Sequence, residues 1–225
     1  MSPEPIEVAV GGDGPTLTLD GADLVLVGYS GRDTDAVRAH VAELAAHGVP
    51  APAEVPSVWR VPSTLLTQSS AVVAEAGTTS GEVEPVLLLI GGEAYLTVGS
   101  DHTDRVLERT SMDGAKAACP KVLARACWPV AGVRAGWDAI ALRSEIEVDG
   151  AWRPYQHGVL GALLPPEWYV ERFAGARPAV VFCGTVPAPG GLVTDATRFR
   201  AVLEGGPAGR IECEYAIGAA SDGRI

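Results

Sequence analysis

Three acidic side chains stand where they could share one metal ion. Glu82-Val83-Glu84 opens an apolar run that ends at Ile90. In a strand, residues two apart face the same way, so Glu82 and Glu84 point to one side and Val83 to the other. Gly91-Gly92 follows, a dipeptide suited to a two-residue hairpin turn, and then the strand-like Glu93 to Val98. A hairpin centred on the two glycines sets Glu82 opposite Asp101. Carboxylates opposed in this way repel one another, unless a hard cation such as Mg²⁺ or Mn²⁺ takes them as oxygen ligands. A plainer arrangement stays open, with Glu82 and Glu84 on a solvated strand face and Asp101 in a turn. One extra loop residue would produce it.

Other residues carry reactive or charged groups at suggestive spacings. His40 and Glu43 are three apart on an expected helix and share a face. A carboxylate beside a histidine orients the ring and raises its basicity, which suits a general base. Spacing alone is better satisfied by an exposed polar pair, with His47 on about the same side. Arg105 follows Asp101 by four residues and could clamp a substrate carboxylate bidentately. Lys116 could polarise a carbonyl or stabilise developing negative charge, with Lys121 competing for that role. Either Arg105 or Lys116 could instead simply balance acidic surface.

The elements that must position these groups are mostly strands. Short apolar stretches bounded by Gly, Pro or Asp cover Thr16 to Leu19, Leu24 to Gly28, Val58 to Val61, Val83 to Ile90 and Ala94 to Val98. Later ones are Ala139 to Val148, Ala179 to Cys183 and Ile211 to Ile217. A helix is expected from Asp35 to His47, with Val37, Val41, Leu44 and Ala45 on one face and Gly48 after it. A second begins near Pro165-Pro166-Glu167, where proline suits the first turn. The pattern predicts an α+β fold, predominantly β, in one domain over 1–225, with 1–20 as an N-terminal strand extension.

Composition narrows the partners. The formal net charge is −11, from 28 acidic and 17 basic side chains, which argues against a nucleic-acid or anionic-membrane surface. Apolar content of 47% is ordinary, so the chain is globular. The four cysteines, 119, 127, 183 and 213, form no C-x-x-C pair, so reduced thiols in a cytoplasmic protein are expected. The start lacks a basic region followed by an apolar one, so no secretory signal is expected.

Ser100-Asp101-His102-Thr103-Asp104-Arg105, together with Glu82-Val83-Glu84, resembles the fumarylacetoacetate hydrolase superfamily, and a divergent bacterial branch of it. That superfamily carries a Glu-x-Glu on a strand and then Asn-Asp-x-(Ser/Thr)-x-Arg, whose Asp completes a metal site. Here Ser100 replaces the usual Asn. Lys116 falls where the family has a characteristic active-site lysine, and Tyr155-Gln156-His157-Gly158 resembles its Gln-x-Gly segment. Gly184-Thr185-Val186-Pro187 resembles its Gly-Thr-Pro turn with Val186 inserted. Gly205 to Ile217 is similar to its closing Pro-Gly-Asp strand, although Gly206-Pro207-Ala208-Gly209 lacks the Asp. Arg38 to Glu43 is similar to the His-x-x-Glu dyad of its lid-like helix.

The resemblance implies a mixed β-roll with a few flanking helices, and Mg²⁺ or Mn²⁺ held by Glu82, Glu84 and Asp101. It implies catalysis by His40, Glu43 and Lys116, and substrate contacts from Arg105, Glu108, Gln156 and Thr185. The implied reaction is hydrolytic C–C cleavage of a small α-oxo acid or 1,3-dicarbonyl compound of acylpyruvate type through a metal-stabilised enolate. Decarboxylation of a β-oxo acid, enol–keto isomerisation and a non-catalytic ligand-binding role stay open, and a homodimer is expected. Glu108 stands where many relatives have a Gln, which implies a less charged substrate or a protonated Glu108. His102 is expected to point away from the metal. Trp128, Trp137, Trp152 and Trp168 are expected in the core or an interface. Neither a nucleophile elbow, for which Gly28-Tyr29-Ser30-Gly31-Arg32 lacks the second Gly, nor a phosphate-binding glycine loop is present.

Overall fold

The structure, a computed structural model, describes residues 5–11, 13–46, 48, 50–74, 77–206 and 209–218. His47, and Pro207-Ala208 of the closing segment, lie outside the described residues.

The larger sheet is built around a hairpin, Val83–Ile90 with Glu93–Asp101, turned by Gly91 and Gly92, both at positive φ. On one side the order continues through Ala126–Pro129, Glu7–Val10 and Thr16–Thr18. On the other it runs through Ala179–Phe182, Asp23–Gly28 and Ser57–Val61. Lys121–Leu123 pairs with the far half of Glu93–Asp101 and with Leu66–Thr67. Glu7–Val10 and Thr16–Thr18 thus form one edge of this sheet.

A second sheet of five strands has the order Ala151–Val159, Ala141–Val148, Arg198–Gly206, Gly209–Gly218, Ala71–Val73. The fold is predominantly β, an α+β arrangement. Val83–Ile90 is buried on both faces: Leu87 and Leu89 pack with Leu142, Phe199 and Leu203 of the second sheet, while Val86 and Leu88 join Leu24, Leu26, Val180 and Phe182. Two-sided burial explains why its sequence is a continuous apolar run rather than an alternating one.

The longest strands outside those the sequence predicts are Arg198–Gly206 and Ala151–Val159; short ones such as Lys121–Leu123 and Ala126–Pro129 are outside them too. In Arg198–Gly206, Phe199, Ala201 and Leu203 face inward, while Arg200 meets Glu145 at 2.6 Å and Glu214 at 2.7 Å on the outer face. In Ala151–Val159, Trp152 lies under the Arg200 guanidinium, 4.2 Å from the ring centroid. Cross-strand charge pairing makes these segments look polar and loop-like. The strand expected from Ala139 starts at Ala141, after a 3₁₀ segment, Arg134–Ala139.

The first helix spans Thr34–Ala46, and the Asp33 carboxylate caps it by accepting from the amides of Asp35 (3.0 Å) and Ala36 (3.1 Å). Of its expected apolar face only Val37 is buried; Val41 and Leu44 are half-buried and Ala45 is exposed. This helix borders a cavity instead of packing on the core. A second helix, Pro166–Phe173, starts at the expected proline and buries Tyr169. A short helix that the sequence reading missed, Met112–Ala118, is capped by the Ser111 hydroxyl and carries Lys116. Among the described residues no helix is long and apolar enough to cross a membrane.

Candidate metal centre

The hairpin register is the one its glycine turn predicts. Val83 pairs with Ser100 and Glu84 with Gly99, and the Asp101 amide donates to the Glu82 carbonyl at 3.0 Å. Glu82, Glu84 and Asp101 therefore share one face, with one oxygen of each within 4.8 Å of the others. Gly99 leaves room on that strand: a Cβ there would lie 2.6 Å from the Val122 carbonyl oxygen and 2.8 Å from the Phe182 ring. The Glu84 and Asp101 side chains are buried, and Glu82 is nearly so.

Three cations surround them. Lys116 Nζ donates to Asp101 Oδ2 at 2.6 Å, Glu82 Oε2 at 3.1 Å and Thr103 Oγ1 at 3.2 Å. Lys121, fully buried, lies 2.7 Å from Asp101 Oδ1 and donates to the His102 carbonyl at 2.7 Å. Arg105 donates from Nη1 to both oxygens of Glu108, at 3.1 and 3.0 Å, and from Nε to Ser80 Oγ at 2.7 Å. Its Nη2 lies 3.1 Å from Glu82 Oε1, an ion-pair distance, although the atoms are not aligned as a hydrogen bond.

Four carboxylates, Glu108 included, thus face three cations, and one negative charge is uncompensated. Its location follows from the surroundings of each acid. Burial acts to raise Asp101, but Lys116 and Lys121 overcome it and hold the carboxyl at about 2. Burial likewise opposes ionisation of Glu82, and Arg105 and Lys116 outweigh it. Glu84 is pushed well above the usual carboxylate range, first by burial and then by the Asp101 charge. Among the described residues, its oxygen Oε2 accepts only the Gly184 amide, at 2.8 Å, and no cationic nitrogen lies within 4 Å of the carboxylate. A divalent cation fits this set: it supplies the charge that Glu84 lacks, through oxygen donors of the hard type such ions prefer.

The carboxylates open into a cavity of about 650 Å³. His40, Glu108, Lys116 and Thr185 line it with them. His40 Nδ1 is 3.6 Å from Glu43 Oε2, and both side chains are largely exposed on the helix. Two residues absent from the sequence reading also line it, Tyr29 and Trp59. Tyr29 has φ 54, a left-handed conformation rare for a bulky residue. Burial, then the nearby Glu108 charge, raises its phenol, so the hydroxyl keeps its proton. The Trp59 ring packs on Gly28, where a Cβ would come within 2.7 Å of it. The signal for Tyr29 is its place between Gly28 and Ser30-Gly31 at the end of a strand. Ser30 is no nucleophile here: it is buried and donates to the Cys183 carbonyl at 2.7 Å.

Several expected roles need correction. Arg105 does not line the cavity, and its guanidinium is taken up by Glu82, Glu108 and Ser80, so it braces carboxylates in place of clamping substrate. Glu108 does face the cavity, but Arg105 answers its charge. Gln156 is buried behind the wall, where Oε1 accepts from the Val83 amide (2.9 Å) and Ser144, and Nε2 donates to Thr185 Oγ1 and the Val186 carbonyl. It ties the hairpin to the Thr185 turn. The Thr185 hydroxyl is spent on the Val83 carbonyl at 2.7 Å. Lys116, not Lys121, reaches the cavity. His102 points away from it, as expected, with its ring nitrogens 2.9 Å from Tyr215 OH and 2.9 Å from Thr79 Oγ1. Burial lowers it to about 4, so the ring is neutral. Trp128 and Trp137 are core residues.

Solved structures share this architecture. Fumarylpyruvate hydrolase from Pseudomonas aeruginosa, in complex with Mn²⁺ and pyruvate, aligns at TM-score 0.54 and 18% identity over 98% of this chain and 99% of its own. A 5-carboxymethyl-2-hydroxymuconate delta-isomerase from Mycobacterium smegmatis aligns at TM-score 0.60 and 18% identity, covering 93% and 87%. A 2-keto-3-deoxy-D-arabinonate dehydratase complexed with magnesium and 2,5-dioxopentanoate aligns at 0.58 and 14%, covering 91% and 77%. These likenesses show the fold, that of the fumarylacetoacetate hydrolase superfamily. No curated protein matches the chain. A family model described as a protein of unknown function, DUF2848, matches residues 27–215. With most of its length so matched and its strands arranged as above, the chain belongs to the DUF2848 family, on a fumarylacetoacetate-hydrolase-like fold.

Proposed function

We propose that this protein is a Mg²⁺- or Mn²⁺-dependent enzyme that hydrolyses a C–C bond in a small α-oxo acid or 1,3-dicarbonyl compound of acylpyruvate type. One observation carries the reading: three carboxylate oxygens within 4.8 Å of one another at a cavity wall, with one charge left unanswered by the cations around them. A bound cation would supply Lewis acidity toward the substrate's oxygens. Fold neighbours that carry magnesium or Mn²⁺ with small oxo compounds support this choice of ion and substrate.

The chain's own groups divide the remaining work. Glu82, Glu84 and Asp101 would hold the cation, and the Gly184 amide fixes Glu84. Lys116, kept protonated by Asp101, Glu82 and Glu84 despite its burial, presents a fixed positive charge to the substrate's oxygens. His40, oriented by Glu43, takes a proton from water at the cavity's edge. Hydrolysis is favoured here over decarboxylation or isomerisation because the largely exposed His40 can meet water. A homodimer in the cytoplasm is the expected setting.

The test is Mn²⁺ titration followed by a screen of acylpyruvates, watching enol absorbance and released acid. Bound metal, turnover abolished by a chelator and loss of both in Glu84→Ala are expected. Full turnover in chelator-treated protein would sink the proposal.

A further inference from the structure

The cavity has a charged end and an apolar end, set apart by the sheet. Glu84 sits on Val83–Ile90; Trp59 sits three strands away on Ser57–Val61, with Ala179–Phe182 and Asp23–Gly28 between. At one strand spacing each, their backbones are roughly 14 Å apart, and the Trp59 ring leans back over Gly28. Leu26 and Trp59, paired on neighbouring strands, form the sheet side of the apolar end, and Val37, His40 and Leu44, on one face of the first helix, also line the cavity.

The charges around this cavity decide what tail a ligand can carry. Asp33 and Glu108 line it in addition to the three metal-centre carboxylates. Among the described residues the lining Arg and Lys are Arg32 and Lys116, and both are engaged; the His40 ring also lines the cavity, 3.6 Å from the Glu43 carboxylate. Arg32 donates to the two Asp138 oxygens at 2.9 Å each and to the Leu163 carbonyl at 3.1 Å. Lys116 is held on Asp101 and Glu82. A second carboxylate on the substrate would meet like charge and apolar side chains, with no unspent Arg or Lys to receive it.

We propose that the apolar end is a subsite for an uncharged hydrocarbon tail, so that the substrate is a monocarboxylate whose oxo-acid head lies at Glu82, Glu84 and Asp101. This rests on the metal-centre reading for the head and on Leu26, Val37, Leu44 and Trp59 for the tail. The chemistry recognised is an aromatic or aliphatic acyl chain of a size the cavity admits, in preference to the dicarboxylate of a fumaryl group.

Two α-oxo acids that lack a cleavable 1,3-dicarbonyl, 2-oxo-4-phenylbutanoate and 2-oxoadipate, test the tail alone. Their dissociation constants are measured by calorimetry on the full chain, with Mn²⁺ and without. The phenyl compound is expected to bind at least tenfold tighter in both states. Leu44→Arg, on a half-buried helix position, is expected to invert the order. Trp59→Ala is expected to weaken only the phenyl compound, and it serves if Leu44→Arg does not fold. Equal or tighter binding of 2-oxoadipate by the unaltered chain, or failure to bind either acid, overturns the subsite and leaves the metal reading standing. An unchanged ratio in both variants overturns its location. If Mn²⁺ itself does not bind, the proposed function fails, and the subsite is judged on the metal-free ratio.

Discussion

Pro85 and Cys183 face each other as a half-made strand pair. The Cys183 amide donates to the Pro85 carbonyl at 3.0 Å, but proline has no N–H to return. The Cys183 carbonyl instead accepts the hydroxyls of Ser30 and Tyr169, each at 2.7 Å. Just beyond, Gly184 turns at φ +93 and its amide goes to Glu84; a Cβ there would fall 1.9 Å from Ser30 Oγ. The missing ladder bond is thus where the sheet parts, and it places the third carboxylate.

The two hydroxyls should therefore act as a unit. Ser30→Ala and Tyr169→Phe are each expected to cost about 0.5–1.5 kcal/mol. The double variant should cost more than their sum, because only then is the buried carbonyl left without a donor. Urea denaturation of the four proteins measures the coupling, and strict additivity would count against it.

Glu84 gives the metal-free chain a definite pH response. Its carboxyl is raised in the folded state, so its stabilising contribution is complete below the ordinary glutamate range and lost as pH rises through the elevated value. Asp101 works the other way, from an ordinary 3.8 to about 2, and its contribution is lost as pH falls through that window. Above the ordinary glutamate range the Glu84 contribution should decline, while His102, lowered from 6.5 to about 4, gains over part of the same window and offsets it; comparison of the chelated parent with Glu84→Gln isolates the decline. Mn²⁺ affinity should rise with pH over the same decline, with proton release on binding. Thermal melts and calorimetry in buffers of different ionisation enthalpy read both, and a metal affinity flat with pH would contradict the assignment.

Lys116→Met removes the ammonium between Asp101 and Glu82. Leaving those carboxylates buried without it should destabilise the metal-free protein by about 3–5 kcal/mol. Saturating Mn²⁺ should restore part of the loss, since the ion takes over the same oxygens. Denaturation with and without Mn²⁺ measures the rescue. A variant as stable as the parent at neutral pH would show that the contact is idle.

His40→Ala should leave the melting temperature and Mn²⁺ affinity unchanged, because the ring is exposed and lies outside the carboxylate set. Turnover of an acylpyruvate should fall about 10²–10⁴-fold, with the loss in kcat rather than KM. An undiminished kcat would remove His40 from the chemistry.

Much of this centre could be read from the chain because local rules fix it. Two adjacent glycines set a hairpin register, and the register carries Glu82, Glu84 and Asp101 to one face without help from the rest of the molecule. The placement of Arg105, Gln156 and Thr185 depends on long-range partners. Gln156 lies 73 positions from the Val83 amide it binds, and no spacing rule anticipates that. Tyr29 and Trp59 were hidden for a related reason, since lining a cavity is a property of neighbouring strands, not of a segment. The Arg198–Gly206 strand was masked by charges that only a paired sheet can satisfy.

The Thr34–Ala46 helix buries one side chain, Val37, and rests its Ala36, His40 and Leu44 against open space. An element with so little anchorage unravels locally at a small fraction of the free energy that melts the two-sided strand beneath it. Its amide protons should exchange with solvent long before those of Leu87 and Leu88. One side of the cavity is thereby expected to open locally at a cost that leaves the strand carrying Glu84 intact.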